Sequence, residues 1–181
     1  MKLSNLEIMK KIEEAKKFQR LGKLKDAEEV YADSLRNNGN SFDLSYSYAL
    51  FSKDVKNYIL AKKLLVNLTK KFPSEIRSYI QIADILTLEN RYSEAEQVLL
   101  LAKNIAPNNS DVLYNFSRLY WSGKNFELSL KYINKAIELN NEIENYKIFK
   151  ADILMCKDQL DESLSILNLL KNNETNNKQL Q

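Results

Sequence analysis

Histidine is absent from this sequence, cysteine occurs once, proline twice and glycine three times. Without histidine the commonest general base is missing, and neither a Ser-His nor a Cys-His nucleophile pair can form. Three glycines cannot supply a phosphate-cradling loop, and neither a Walker A motif nor a G-x-G-x-x-G motif occurs. We therefore expect no catalytic residues, no metal site and no cofactor, and hence no enzyme.

An excess of charge of one sign and long apolar runs are also missing. Twenty-seven basic and 24 acidic residues leave a formal charge of +3, too small a field to attract nucleic acid. The longest apolar run, residues 98–102, is far below the roughly 18 residues that a membrane span needs. Cys156 has no disulfide partner, and charged residues from Glu7 onward interrupt any signal-peptide core. We expect a cytoplasmic protein without membrane insertion.

Small residues return at a constant interval of 34 positions. One series consists of Ala15, Ala49, Ala83, Ser117 and Ala151. A second series keeps the same interval further along each unit, at Ala27, Ala61, Ala95, Ser129 and Ser163. Between the two, a large apolar residue keeps the same step, at Leu24, Tyr58, Tyr92, Phe126 and Leu160. A period held over five units without an insertion is typical of a repeat architecture.

Each unit has the spacing of two short amphipathic helices. Tyr79, Ile82, Ala83 and Leu86 follow an i, i+3, i+4, i+7 stripe. The two prolines, Pro73 and Pro107, stand between units, where they end helices. Three pairs have the spacing of a capping box, namely Ser4 with Glu7, Asp26 with Glu29 and Ser93 with Glu96.

This pattern of small, large apolar and small residues, with proline closing a unit, resembles the tetratricopeptide repeat (TPR). The resemblance implies an all-α fold, a right-handed superhelical α-solenoid of antiparallel helix pairs. The five repeats would span residues 8–41, 42–75, 76–109, 110–143 and 144–171. Residues 1–7 would lead into the first helix, and the polar residues 172–181 would form a disordered tail.

The resemblance also implies a function. TPR proteins act as protein-interaction adaptors or scaffolds, and the first helix of each repeat lines a concave groove that holds a peptide or a helix of a partner. Aromatic residues and arginine most often anchor such interfaces. The contact residues expected in the middle of the groove are Tyr46, Leu50, Arg77, Ile80, Gln81, Asp84, Tyr114, Asn115, Arg118 and Trp121.

Other interpretations stay open. Tyr114 and Trp121 are two helical turns apart on one helix and would alternatively fill the seam between adjacent first helices. The chain could also be the recognition or assembly module of an enzyme system, such as glycosyltransferase, sulfotransferase or secretion machinery. RNA binding, as in pentatricopeptide repeats, is disfavoured because the groove positions carry five acidic and four basic residues.

The last helix offers a further surface. Leu164, Ile166, Leu167, Leu169 and Leu170 give it more apolar surface than one repeat can bury by itself. Because solenoids are usually closed by a polar end helix, this surplus predicts self-association through the C-terminal helix or docking of a partner there.

Overall fold

A computed structural model describes the backbone of residues 3–179 and the side chains of residues 3–36 and 38–172. Within these residues every regular element is helical and no strand occurs, so the all-α fold predicted from the sequence is confirmed. The described helices are α1 (Asn5–Arg20), α2 (Leu24–Asn38), α3 (Phe42–Asp54), α4 (Tyr58–Lys71), α5 (Ile76–Leu88), α6 (Tyr92–Ile105), α7 (Ser110–Ser122), α8 (Phe126–Leu139), α9 (Glu144–Cys156) and α10 (Leu160–Gln179).

The chain divides into two compact units, Met1–Ile85 and Leu86–Gln181, called here the N-terminal and C-terminal units. In the N-terminal unit α1 packs against α2, α2 against α3, and α3 against α4. In the C-terminal unit α7 packs against α8, α8 against α9, and α9 against α10. Each odd-numbered helix is the first helix of a repeat, and the even-numbered helix after it is the second.

The large apolar residue of each repeat begins the second helix. The even-numbered helices start at Leu24, Tyr58, Tyr92, Phe126 and Leu160, the series that the sequence pattern singles out. The repeat period therefore fixes where the second helices begin.

Only one of the three predicted capping boxes forms. The Ser4 side chain accepts from the Glu7 backbone N–H while the Glu7 carboxylate accepts from the Ser4 N–H. The other two predictions were wrong, because α2 and α6 start at Leu24 and Tyr92 and so place Asp26 and Ser93 inside the first turn. Their N-cap positions hold Lys23 and Arg91, which make no side-chain cap.

The turn between the two helices of every repeat has the same geometry. One residue in each turn has a positive φ: Gly22 (72°), Lys56 (61°), Asn90 (59°), Lys124 (59°) and Asp158 (61°). The next residue donates its N–H to a carbonyl near the end of the first helix, as from Asn57 to Ser52 (2.8 Å) and from Asn125 to Tyr120 (2.8 Å). These are the features of a Schellman motif, so each first helix is closed by a left-handed residue that in four repeats is not glycine.

Stacked aromatic rings form the core of each unit. In the N-terminal unit Tyr31 is buried and its ring stacks on Tyr48, with 5.4 Å between centroids. Burial is the main cause that raises the pKa of Tyr31 to about 12, so its hydroxyl stays protonated. In the C-terminal unit the fully buried Phe116 stacks on Tyr132 at 4.9 Å.

The small residues lie where the two helices of a pair touch. Ser117 and Ser129 are fully buried, and each hydroxyl donates to the backbone carbonyl of the other residue, at 2.7 and 2.9 Å. In the fifth repeat the Ser163 hydroxyl donates to the Ala151 carbonyl at 3.0 Å. A side chain within hydrogen-bonding distance of the opposite backbone leaves no room for a larger group, which is why Ala and Ser recur here.

Helix α10 continues into the polar C-terminal residues and is helical as far as Gln179. The disorder expected of residues 172–181 from their composition stays a prediction. No proline or glycine follows Leu170 to end the helix. Residues 180 and 181, the end of that tail, lie outside the described residues.

Candidate functional site

The ten residues predicted to contact a partner lie on α3, α5 and α7, six in the N-terminal unit and four in the C-terminal unit. Each unit presents a group of aromatic side chains on or beside its first helices, joined in the N-terminal unit by an arginine. We call them the N-terminal patch (Phe42, Tyr46, Phe72 and Arg77) and the C-terminal patch (Tyr114, Trp121, Tyr146 and Phe149).

Arg77 is the centre of the N-terminal patch. Its guanidinium lies 4.4 Å from the ring centroid of Phe42 and 5.5 Å from that of Tyr46. Phe42 stacks on Tyr46 at 5.4 Å and meets Phe72 edge to face at 5.5 Å. Arg77 also pairs with Glu75 at 2.7 Å, and half of its side chain remains exposed. An arginine held over rings and still half-exposed can donate to an acceptor on a partner.

Tyr46 is half-buried beside this arginine. Burial is the largest cause that raises its pKa above the ordinary value, and the Arg77 charge works in the opposite direction. Its hydroxyl therefore stays protonated at neutral pH and can both donate and accept a hydrogen bond.

The side chains of Gln81 and Asp84 accept hydrogen bonds from a residue of the preceding first helix. The Lys53 ammonium on α3 donates to the Gln81 Oε1 at 2.5 Å and to the Asp84 Oδ2 at 2.9 Å. The side chains of Lys53 and Asp84 are only 18% and 12% exposed. Because removing one member of a shielded ion pair leaves an uncompensated charge, we assign this bridge to holding α5 against α3.

Leu50 and Ile80, the two aliphatic residues of the prediction, are poorly available to a partner. Leu50 is half-buried, and Ile80 is buried at 9% exposure. Ile80 differs from the expectation because α5 also buries Ser78, Ile82, Ala83, Ile85 and Leu86 and thus leaves little free surface.

The C-terminal patch is a row of rings across α7 and α9. Tyr114 stacks on Tyr146 at 4.9 Å and meets Phe149 edge to face at 5.5 Å. Trp121 meets the same Phe149 edge to face at 5.9 Å. The Tyr146 hydroxyl donates to the Asp111 carboxylate at 2.5 Å, and burial is the main cause that raises its pKa to about 12.

Two polar predicted residues lie beside these rings. Arg118 has its guanidinium 6.0 Å from the Tyr114 centroid, and it donates to the Asn115 Oδ1 at 3.4 Å. Both side chains are half-buried. They can supply hydrogen bonds at the edge of an aromatic surface.

The family model described as tetratricopeptide repeat matches residues 76–109 and 110–143. These are the ranges that the third and fourth repeats have in the sequence pattern. Residues 76–143 of this chain are two tetratricopeptide repeats. TPR segments are typically non-catalytic interaction modules. None of the curated proteins compared with this chain matches it in sequence.

Solved TPR structures share the fold over most of the chain. MamA of Desulfovibrio magneticus has 16% identity and a TM-score of 0.67, with 93% of this chain and 96% of that chain covered. A thermophilic TPR protein of Thermus thermophilus has 15% identity and a TM-score of 0.75, with 88% and 87% covered. A TPR protein of Parabacteroides merdae has 14% identity and a TM-score of 0.78, with 93% and 66% covered. Likeness at such low identity shows the fold alone.

Two residues of the C-terminal patch are absent from the predicted contact set. Tyr146 and Phe149 hold the ring row together, although neither belongs to the predicted contact set. Phe149 occupies the place in its repeat that Asn115 and Gln81 have in the two preceding repeats, so the repeat register places it on the groove face. The predicted set leaves it out because that set is confined to the middle of the groove.

Both interpretations of Tyr114 and Trp121 find support in the C-terminal unit. Tyr114 is packed between rings of the next first helix, as a residue filling a seam would be. Trp121 contacts Phe149 but keeps 39% of its surface exposed. Trp121 is thus the aromatic residue of this patch best placed to contact a partner.

The part of the chain that the structure describes has no helix with the length and apolar content needed to cross a bilayer.

Proposed function

We propose that this TPR chain is a non-catalytic adaptor that binds a peptide or a helix of a partner protein along its first helices. The observation that carries the proposal is Trp121, a large aromatic side chain fixed by Phe149 and still 39% exposed. A tryptophan held by packing loses little conformational freedom on binding, and tryptophan is enriched among the residues that dominate interfaces.

The N-terminal patch supports the same function by different chemistry. Arg77 stacks on Phe42 and keeps half of its side chain exposed. It suits a carboxylate or a backbone carbonyl of a bound segment. The lone cysteine favours a reducing compartment, and we propose the cytoplasm as the place where this binding occurs.

Replacing Trp121 with Ala is expected to weaken partner binding at least about tenfold, because an anchor of this kind contributes about 2 kcal/mol or more. The measurement is affinity capture from the source cells with quantitative mass spectrometry, followed by calorimetry with the partner recovered. Leu101→Ala, which truncates a 52% exposed side chain on a second helix, is the matched control. If the Trp121 variant retains the same partners at the same level as the control, the first-helix face is not the binding surface.

We propose that the exposed face of α10 also joins two copies of this chain. Leu160 and Leu164 lie one turn apart on this face and are 52% and 57% exposed. Leu130, which has the place of Leu164 in the preceding repeat, is partly buried against a core cluster that includes Tyr146 of α9. Among the described residues no helix follows α10 to cover Leu164 in the same way.

Light scattering at increasing concentration should then give a mass that rises toward twice that of the monomer, because the apolar faces of α10 become buried. Leu164→Glu should restore the monomer mass, whereas Leu101→Glu, at an exposed leucine of α6, should not. A constant monomer mass at every concentration would rule out this pairing.

A further inference from the structure

Helix α4 differs from the other second helices in its charge. It carries Lys62, Lys63, Lys70 and Lys71 and no acidic residue. Each of α2, α6, α8 and α10 carries at least one Asp or Glu in its first turn. The positive charge of α4 is therefore a local feature that the repeat pattern does not require.

Exposed residues of α4 alternate between apolar and cationic along one side of the helix. Ile59, Lys63, Val66 and Lys70 follow an i, i+4, i+7, i+11 spacing and so lie on one face. Ile59 is 83% exposed and Val66 is 41% exposed. Lys63 and Lys70 are exposed and have no ion-pair partner among the described side chains.

This side of α4 borders a groove of about 840 Å³. Leu35, Tyr48, Leu60, Leu64 and Val66 supply most of its apolar wall. Its cations are Arg36, Lys62, Lys63 and Lys70, and no carboxylate lines it. Arg36 is paired with Asp33 at 3.1 Å, so Lys63 and Lys70 are the cations of this groove that have no ion-pair partner among the described side chains.

We propose that the groove between α2 and α4 binds an acidic amphipathic helix of a partner protein. Apolar side chains of that helix would cover Leu64 and Val66, and its carboxylates would face Lys63 and Lys70. Apart from Tyr48 of α3, the lining residues of this groove lie on the second helices α2 and α4, and none of them belongs to the first-helix patches assigned above. The groove would therefore let one chain hold two partners.

The shape of the surface favours a protein helix over an anionic membrane. A bilayer offers an almost flat surface, which contacts protruding groups such as Ile59 but leaves a recessed wall uncovered. An inserted helix fills a recess with its side chains and removes the apolar wall from water.

The test uses a fluorescein-labelled peptide of about 18 residues, with leucine at every third or fourth position and glutamate between, so that it forms one apolar face. Anisotropy with the full chain should show saturable binding that weakens several-fold when salt rises from about 50 to about 500 mM. The same peptide with lysine in place of glutamate should not bind. Absence of saturable binding by the glutamate peptide would refute the proposal.

Charge reversal locates the site. Lys63→Glu with Lys70→Glu should raise the dissociation constant of the glutamate peptide at least about tenfold. Lys10→Glu with Lys17→Glu makes the same change of net charge at the same spacing on exposed positions of α1 and should have little effect. Equal weakening by the two pairs would show general electrostatic attraction and overturn the assignment.

Two further arms distinguish the remaining explanations. Flotation with vesicles containing phosphatidylserine should leave the protein unbound, and vesicle binding that is lost in the α4 variant would assign the face to a membrane instead. Trp121→Ala should leave the affinity for the peptide unchanged. The proposal for the first-helix face and the proposal for the groove between α2 and α4 can therefore be refuted independently of each other. Circular dichroism should show that all variants remain folded, since every substituted lysine is exposed.

Discussion

Replacing Phe116 with Ala should lower the free energy of unfolding by about 3–5 kcal/mol, the usual cost of removing a buried aromatic ring. Phe116 is fully buried, and its ring stacks on Tyr132 at 4.9 Å and lies 6.4 Å from Tyr120. Loss of the ring removes apolar burial and leaves a cavity beside Tyr120 and Tyr132, which stack on each other at 5.4 Å. Urea unfolding followed by circular dichroism measures the change.

Two variants make that measurement specific. Phe116→Leu keeps most of the volume and should lose about half as much stability or less. Leu101→Ala removes a side chain that is 52% exposed and should change the free energy by no more than about 0.5 kcal/mol. If Phe116→Ala costs no more than Leu101→Ala, the ring does not hold this unit together.

Replacing Ala49 with Leu should cost about 1–3 kcal/mol through overpacking. Ala49 is fully buried on α3. It has the place in its repeat that Ser117 has in the fourth, where the side chain reaches a backbone carbonyl of the paired helix at 2.7 Å. Three further carbons at this position would push α3 away from α4 or force strained rotamers.

The matched variant is Ala49→Ser, because serine already occupies the equivalent position at Ser117. It should cost less than about 1 kcal/mol if its hydroxyl finds a carbonyl on α4 as Ser117 does on α8. Thermal unfolding of both variants decides the matter. Equal loss in the two would mean that polarity rather than size limits this position.

The repeat could be predicted from the sequence because its cause is local to each helix pair. Close approach of two helices demands a small side chain at a fixed position in each repeat, as the buried Ala49 and Ser117 show. The repeat period can therefore be read from the spacing of the small residues. The capping pattern was a weaker guide than the repeat period. Helices α2 and α6 begin at Leu24 and Tyr92, the large apolar residues of the repeat, and not after Asp26 and Ser93 as the capping pattern would suggest.

The sequence could assign the residues of the candidate surfaces to one face of a helix. It could not show whether that face is available to a partner. Gln81 and Asp84 lie on the helix face that the repeat period predicts, yet Lys53 of the preceding first helix donates hydrogen bonds to both. The burial of Ile80 depends on how many sides of α5 are covered, which a period cannot show. The exposure of Trp121 likewise depends on how much of its ring Phe149 covers, which the repeat period does not specify.

The left-handed turn residues have a consequence for engineering this chain. Gly22 adopts its conformation freely, whereas Lys56, Lys124 and Asp158 hold a Cβ in a region that disfavours one. None of these residues belongs to a surface proposed here for binding. Resistance to heat could therefore be adjusted repeat by repeat with glycine, independently of what the protein recognises.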